Sequence, residues 1–401
     1  MTNSPTIILV SSEYPPNICG GLGVHIARMV AALREKVRFE LFVPRFSSYS
    51  TDNSNVRLHE IAVPQAESEL ELWWQFCSAI ALSPQTSSLS AQLIHCHDWM
   101  TILAGVSLRQ RLELPLVFNV HLPEHIGSRY CLENIGLVAA DLVVVNSEAV
   151  REELTARNLG IRHIEVVPNG VDSSVFFPSH QWPEEEDYVL FVGRLVAQKG
   201  LDILLRSFAA VLRRCPESRL VIAGDGDLEL YFKRMVRHFG FPDRVIFVGW
   251  QTGEALTRLY QQAQVVVIPS YYEPFGIVAL EAMACGRPVI ASRVGGLAEI
   301  IEDDVQGYLF QAGDHLQLAR RLSSLLLDPR RRREMGVLAR ERALQFSWSS
   351  AADRIMDLYA SLIGRSVEAA SPSRILEVSR GLPAGLAGQL DQLGLSFLPA
   401  G

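Results

Sequence analysis

The stretch VVVIPSYYEPFGIVALEAMACGRPVIA, residues 265–291, sets two short β-branched runs, Val265-Val266-Val267-Ile268 and Val289-Ile290-Ala291, on either side of a longer helical segment. Runs so short and so uniformly apolar read as strands buried on both faces, the habit of parallel sheets covered by helices. The alternation extends outward from there. Val189-Leu190-Phe191-Val192, Leu220-Val221-Ile222-Ala223 and Val245-Ile246-Phe247-Val248 precede it. A second series lies nearer the amino terminus: Ile7-Ile8-Leu9-Val10, Phe39-Glu40-Leu41-Phe42-Val43, Leu93-Ile94-His95, Leu116-Val117-Phe118 and Leu142-Val143-Val144-Val145. Amphipathic stretches, among them Val24 to Leu33 and Ala149 to Ala156, separate these runs. The pattern predicts an α/β chain with two Rossmann-like, doubly wound domains.

The punctuation divides the 401 residues further. Turn-rich Pro168-Asn169-Gly170 and acidic Trp182-Pro183-Glu184-Glu185-Glu186-Asp187 read as a solvated linker. Asp328-Pro329 reads as an N-cap and first helical residue, with Arg330 to Arg333 on a wet face. Ser347 to Ile363 reads as another amphipathic helix, and beyond Arg365 no periodicity is visible. The expected layout is an N-terminal domain over 1–170, a linker over 171–187 and a C-terminal domain over 188–346, then a helix over 347–365 crossing back to the first domain, and an appendage over 366–401.

Composition excludes several classes. Asp and Glu outnumber Lys and Arg, 44 to 37, and the net charge of -7 argues against a nucleic-acid binder. No apolar run approaches the roughly 18 residues of a membrane span. The start, Met1-Thr2-Asn3-Ser4-Pro5, lacks a basic region and leads straight into the first strand. Six cysteines (Cys19, Cys77, Cys96, Cys131, Cys215 and Cys285) are scattered without close pairing, which suits a reducing cytoplasm better than a disulfide scaffold or zinc site.

Candidate chemistry gathers where strands meet helices. The first junction, Ser11 to Gly23, contains Gly20-Gly21-Leu22-Gly23, and a glycine-rich loop entering a helix offers backbone N–H groups to a phosphate. Ile26 stands where a dinucleotide fingerprint needs its third glycine. In His95-Cys96-His97-Asp98-Trp99 the two histidines share a strand face and Asp98 points away, so polar pocket lining is favoured over a metal site. His121 lies just past another strand, at the edge where open α/β sheets bind ligands. Gly193-Arg194-Leu195-Val196-Ala197-Gln198-Lys199-Gly200 places two cations in one loop, which fits a diphosphate leaving group. In Glu273-Pro274-Phe275-Gly276, Pro274 reads as the first helical turn and Glu273 as the cap. Glu281 then lies two turns on, about 12 Å away, too far for a hydrolytic carboxylate pair. Asp225-Gly226-Asp227 reads as a capping turn rather than a metal motif.

Taken together, these motifs resemble a retaining nucleotide-sugar glycosyltransferase of the two-Rossmann-domain (GT-B) type, family 4 with its glycogen and starch synthase relatives. The resemblance runs from Ile7 to about Ile363 and is most specific over Glu273 to Ala291. Val167 to Asp172, Phe176 with Pro178, Gly295-Gly296, and Asp141 to Ser147 with Glu133 eight residues before Asp141 also match. It implies two domains facing each other across a cleft. Arg194 and Lys199 would bind the donor diphosphate, with Gly20, Gly21 and the amides of Phe275 and Gly276 closing on it. Glu281 would hold the ribose, Glu273 the transferred sugar, and backbone near Gly249 and Trp250 the base. His121 would face the anomeric carbon, with Asp98 on the acceptor side.

The resemblance implies transfer of a hexosyl unit, expected to be glucosyl, from an ADP-, UDP- or GDP-hexose to a carbohydrate or other hydroxyl acceptor such as an α-glucan, with no metal or other cofactor. Where ADP-glucose-using bacterial glycogen synthases carry a lysine two residues before the paired glycines, this chain has Ile18. Other readings on the same fold are a lipid, small-molecule or different polysaccharide acceptor, a nucleotide-sugar epimerase, or an inactive sugar-nucleotide-binding relative. The intact Arg194, Lys199, Glu273, Glu281 and His121 argue against the last.

Overall fold

The computed structural model describes residues 4–18, 20–46, 55–179, 188–367, 372–380 and 382. Cys19, the acidic run of the expected linker and most of the expected appendage lie outside these residues. The chain divides into two compact units, Met1–Val167 with Ser349–Gly401, and Pro168–Trp348.

The first unit runs β1 (Thr6–Val10), α1 (Gly21–Leu33), β2 (Arg38–Pro44), β3 (Val56–Ile61), α2 (Glu69–Ala81), α3 (Pro84–Ser87), β4 (Leu93–His97), α4 (Ile102–Leu112), β5 (Leu116–Val120), α5 (Gly127–Ala139), β6 (Leu142–Val145), α6 (Glu148–Thr155) and β7 (Ile164–Val166). The strands form a wholly parallel sheet in the order β3-β2-β1-β4-β5-β6-β7. Side chains alternate across a strand, so each strand feeds two cores. Ile8, Val10, Ile94, Cys96 and Phe118 meet α2, α4 and α5 on one face. Ile7, Leu9, Leu93, Val117 and Val144 meet α1 on the other.

The second unit repeats the plan with β8 (Tyr188–Val192), α7 (Leu201–Val211), β9 (Arg219–Ala223), α8 (Glu229–Phe239), β10 (Val245–Gly249), α9 (Gly253–Gln262), β11 (Ala263–Ile268), α10 (Ile277–Ala284), β12 (Val289–Ser292), α11 (Leu297–Ile300), β13 (Gly307–Phe310), α12 (His315–Leu326) and α13 (Pro329–Ala343). Its strands are also all parallel, in the order β10-β9-β8-β11-β12-β13. Val189, Phe191, Ile222, Val267 and Ile290 line one face, and Leu190, Val221, Val266, Ile268 and Ala291 the other. Residues 171–179, expected as linker, belong to this unit: Val171 and Phe176 are buried in its core, and Phe176 meets Tyr260 edge to face.

Two helices follow, α14 (Trp348–Leu362) and α15 (Pro372–Ser379). Ile355, Leu358 and Tyr359 of α14 fill the same face of the first sheet as α1. The tail is therefore not without order: α15 lies on α5, Ile375 is fully buried in the first unit, and Arg374 donates to the Gly160 carbonyl. The Asp328 side chain caps α13 through the Arg331 N–H, as the Asp-Pro signal predicts. Its arginines are not all wet. Arg332 is buried and donates to the Leu325 carbonyl at the end of α12, closing the turn between the two helices.

Candidate active site

In the second sheet the chain winds from β8 outward through β9 to β10, then returns to place β11 on the other side of β8. The loops leaving β8 and β11 therefore diverge at a topological switch, where open α/β sheets bind their ligands. Those loops carry Arg194 and Lys199, and Glu273. Lys199 closes a short 3-10 turn, Ala197–Lys199, and Gly200 ends it at φ +65°. A Cβ at Gly200 would lie 2.0 Å from the Pro269 carbonyl oxygen, so only glycine lets the two loops touch there. The Tyr271 N–H donates to the Gln198 carbonyl at 2.9 Å, and Gln198 Nε2 returns a bond to the Tyr272 carbonyl.

This docking brings Lys199 Nζ within 2.7 Å of Glu273 Oε2, an oxygen that also accepts from Ser270 Oγ at 3.0 Å. In the sequence the ammonium and the carboxylate belong to separate motifs; in the fold each orients the other. The pair keeps partial solvent access, with side-chain exposures of 22% and 14%. Arg194 on the same loop is exposed and pairs with no carboxylate among the described residues.

The start of α10 differs from expectation. Pro274 is not a helical residue: Gly276, at φ +108°, is the N-cap, and the helix begins at Ile277 without a side-chain cap. Glu281 thus lies little more than one turn into α10, and its separation from Glu273 is not a helical rise. An uncapped helix entrance leaves backbone N–H groups and the positive end of the dipole for an anion. The loop after β12 supports the Glu273 loop from behind, since the Gly296 N–H donates to both the Glu273 and Pro274 carbonyls. Glu281 is buried, as its apolar neighbours predict, and accepts from the Tyr260 hydroxyl at 2.8 Å. Burial and that carboxylate hold the Tyr260 phenol well above its ordinary pKa. Gly249 ends β10 at φ +72° and accepts from the Gly224 N–H, followed by half-exposed Trp250.

In the first unit the corresponding switch lies between β1 and β4. The Gly20-Gly21 turn does enter α1, with Gly20 as N-cap. Part of the expected phosphate cradle is already filled, because Glu13 Oε2 accepts from the Gly23 N–H at 3.1 Å. Ile18 packs beside the same glycine. Asp98 follows β4 in the left-handed region, φ +56°, and turns back so that its Oδ1 accepts from the His121 backbone N–H at 2.7 Å. Burial lifts its carboxyl to about 7, against the lowering by the His121 and Leu122 N–H groups. In this structure Asp98 holds the His121 loop.

His121 itself is half-buried, and its Nε2 lies 3.0 Å from His97 Nδ1. His25 of α1 meets its ring edge to face, with centroids 4.3 Å apart. His95 lies beside His97 on the same strand face, with ring centroids 4.2 Å apart, and its Nδ1 bonds the Tyr359 hydroxyl of α14 at 2.7 Å. Burial, then the neighbouring imidazoles, holds His97 and His121 well below the ordinary histidine pKa, and His95 at about 3. All three rings are neutral near pH 7.

Two family models match the chain, Glycosyltransferase Family 4 over residues 19–175 and Glycosyl transferases group 1 over 172–342. The α-maltose-1-phosphate synthase of Mycolicibacterium smegmatis is 30% identical over 397 residues, covering 88% of this chain and 98% of that protein. The chain belongs to glycosyltransferase family 4. The D-inositol 3-phosphate glycosyltransferase of Corynebacterium kroppenstedtii is 34% identical over 77% of each chain. The sucrose-phosphate synthase of Thermosynechococcus elongatus has a solved structure that superposes with a TM-score of 0.77 at 27% identity, covering 89% of this chain and 99% of that one. The two parallel sheets with flanking helices are the GT-B architecture. No helix among the described residues is long and apolar enough to cross a membrane.

The glycosyltransferase uses supports that sequence reading did not single out. Tyr260, Ser270, Glu13 and Tyr359 each hold a candidate residue or its neighbour through one hydrogen bond. Glu133 and Asp141 of the family pattern prove to be scaffold. Fully buried Glu133 accepts from Arg157 Nη1 at 2.8 Å and from the Glu124 N–H just after His121, and burial pushes its carboxyl up to about 8. Asp141 takes a bidentate bond from Arg109 and a third from the Leu116 N–H.

Proposed function

We propose that this glycosyltransferase moves a hexosyl unit from a nucleoside-diphosphate sugar to a hydroxyl acceptor, with retention at the anomeric carbon and without a metal. The observation that carries the reading is the Lys199–Glu273 pair at the switch of the second sheet, beside the uncapped entrance of α10. Lys199 spends one of its three N–H donors on Glu273, which leaves two for phosphate oxygens. Arg194 and the α10 entrance add positive potential to the growing leaving-group charge, where fixed donors stabilise a transition state most. Glu273, kept oriented by Lys199 and Ser270, accepts from sugar hydroxyls, and Glu281 accepts from the ribose. Phe275, Gly276, Gly20 and Gly21 supply backbone N–H groups, and backbone at Gly249 faces the base.

In the step proposed, the acceptor oxygen bonds to the anomeric carbon as the bond from that carbon to the phosphate oxygen breaks. The acceptor proton passes to the departing diphosphate, so no protein nucleophile is required. Neutral His121 donates to or accepts from a sugar hydroxyl without adding a charge, and Asp98 supports it on the acceptor side. The α-maltose-1-phosphate synthase, the D-inositol 3-phosphate glycosyltransferase and the sucrose-phosphate synthase are each named for a sugar phosphate or polyol phosphate. That supports a phosphorylated sugar or polyol as acceptor over an α-glucan.

The test is a panel of ADP-, UDP- and GDP-hexoses against sugar phosphates, inositol phosphate and maltooligosaccharides, with and without chelator. Expected is one donor–acceptor pair giving a product with the donor's anomeric configuration, insensitive to chelation. An inverted product, loss of activity with chelator, or transfer to maltooligosaccharides alone contradicts the corresponding part of the proposal.

A further inference from the structure

We propose that His25, His97 and His121 form a binding site for a divalent transition metal of the zinc class, and that its occupation blocks transfer. The three imidazoles come from separate places in the first unit, namely α1, the end of β4 and the loop after β5. One ring nitrogen from each lies within 4.8 Å of the others. Two nitrogens bound to one tetrahedral zinc at ordinary bond lengths stand roughly 3.4 Å apart. His97 Nδ1 and His121 Nε2 are already 3.0 Å apart, so opening by a few tenths of an ångström admits an ion in place of the proton they share. His25 then closes in by a modest ring movement.

The chemistry of the donors agrees. A metal needs the neutral imidazole, the form in which histidine mostly stands near pH 7. Imidazole nitrogens without carboxylate ligands suit zinc, copper or nickel rather than magnesium or calcium. Among the described residues His97 Nε2 has no hydrogen-bond partner, so the contact with His121 fixes which of its nitrogens carries the proton, and the tautomer can follow the ion. His25 and His97 are buried whereas His121 is half-exposed. The ion therefore has an entry path on the His121 side. Asp98 already holds the His121 backbone, so the loop need not be ordered on binding.

The blocking effect rests on the placement of His121 at the transferred sugar proposed above; metal binding does not. A metal on Nε2 ties the ring to His97 and His25 and fixes the proton on Nδ1, so His121 can no longer turn toward a sugar hydroxyl or accept from it.

The experiment titrates the full chain with Zn2+ by calorimetry and with Co2+ by visible absorption, for wild type, His25→Asn and His97→Asn. Expected is one ion per chain with the intense visible bands of a tetrahedral cobalt site. Losing one ligand weakens binding at least about tenfold, since even outer-shell partners of a metal ligand are worth that much. In the assay with the donor found active, Zn2+ inhibits the wild type over the range in which it binds, and His25→Asn turns over at that Zn2+ level. No stoichiometric binding, or equal affinity in both variants, overturns the site. Binding that depends on His25 and His97 but leaves wild-type turnover untouched upholds the site and instead removes His121 from the sugar.

Discussion

Lys199 and Glu273 show what a pair of residues decides. Separately each is a half-buried ion; together, with Ser270, they are a preset donor and acceptor at one sheet switch. Lys199→Ala should lower kcat/KM about 100-fold or more, the loss typical of one donor aimed at developing charge. Glu281→Ala should instead raise the donor KM and leave kcat nearly unchanged, because a ribose contact is similar in ground and transition states. Steady-state kinetics on both variants separates the two roles. Tyr260→Phe strips the buried Glu281 of a partner and should cost about 1–3 kcal/mol in urea unfolding. That Glu281 is buried follows from Ile277, Val278 and Leu280 around it. Its partner does not, because Tyr260 reaches it from α9, a contact set by the fold.

At the scale of elements, the loops that carry the site are fixed by backbone approach. Gly200→Ala combines φ +65° with a Cβ 2.0 Å from the Pro269 carbonyl oxygen. Gly240→Ala shares the positive φ, +81°, but meets nothing within 4 Å. The second should cost about 1–2 kcal/mol, the ordinary left-handed penalty, and the first distinctly more. Equal losses in chemical unfolding would contradict the docking of the two loops. The same backbone detail explains the displaced start of α10. Pro274 carries a real first-turn signal, but Gly276 at φ +108° makes a further bend before the helix begins. The strands β3 and β7 escaped sequence reading because they are half-buried edges with charged residues, as in Val56-Arg57-Leu58-His59-Glu60-Ile61. β13 escaped because it opens on Gly307, which is there to pass close to the Val289 carbonyl.

At the scale of the molecule, the alternation of apolar runs and amphipathic stretches already implied two doubly wound units, since only helix-covered parallel sheets bury strands such as Ile7 to Val10 on both faces. The place of α15 was not legible, because eight residues are too short a window to establish a helical period, even though Ile375 is buried in the first unit. The histidine cluster also sets how the first unit responds to acid. His95, His97 and His121 are held below their ordinary pKa, so between about pH 6.5 and 5 the unfolded chain binds a proton at each and the folded chain does not. Each then removes about 1.4 kcal/mol of stability per pH unit on acidification. Asp98, raised to about 7, and Glu133, raised to about 8, act in the opposite sense over that window, because they are protonated only when folded. Glu124, also raised by burial, adds to that opposition, so stability should fall by about 1.4 kcal/mol per unit or less, and by about 1.4 kcal/mol per unit more in Asp98→Asn, read by urea unfolding at both pH values. The central claim, that the loops of the second unit hold a nucleoside diphosphate, is tested most directly by calorimetric titration of UDP, ADP and GDP into wild type, Lys199→Ala and Glu281→Ala. The account predicts that one nucleotide binds the wild type and that each substitution weakens it at least about tenfold, a loss of about 1.4 kcal/mol; binding of none of the three, or equal binding by all three proteins, would contradict it.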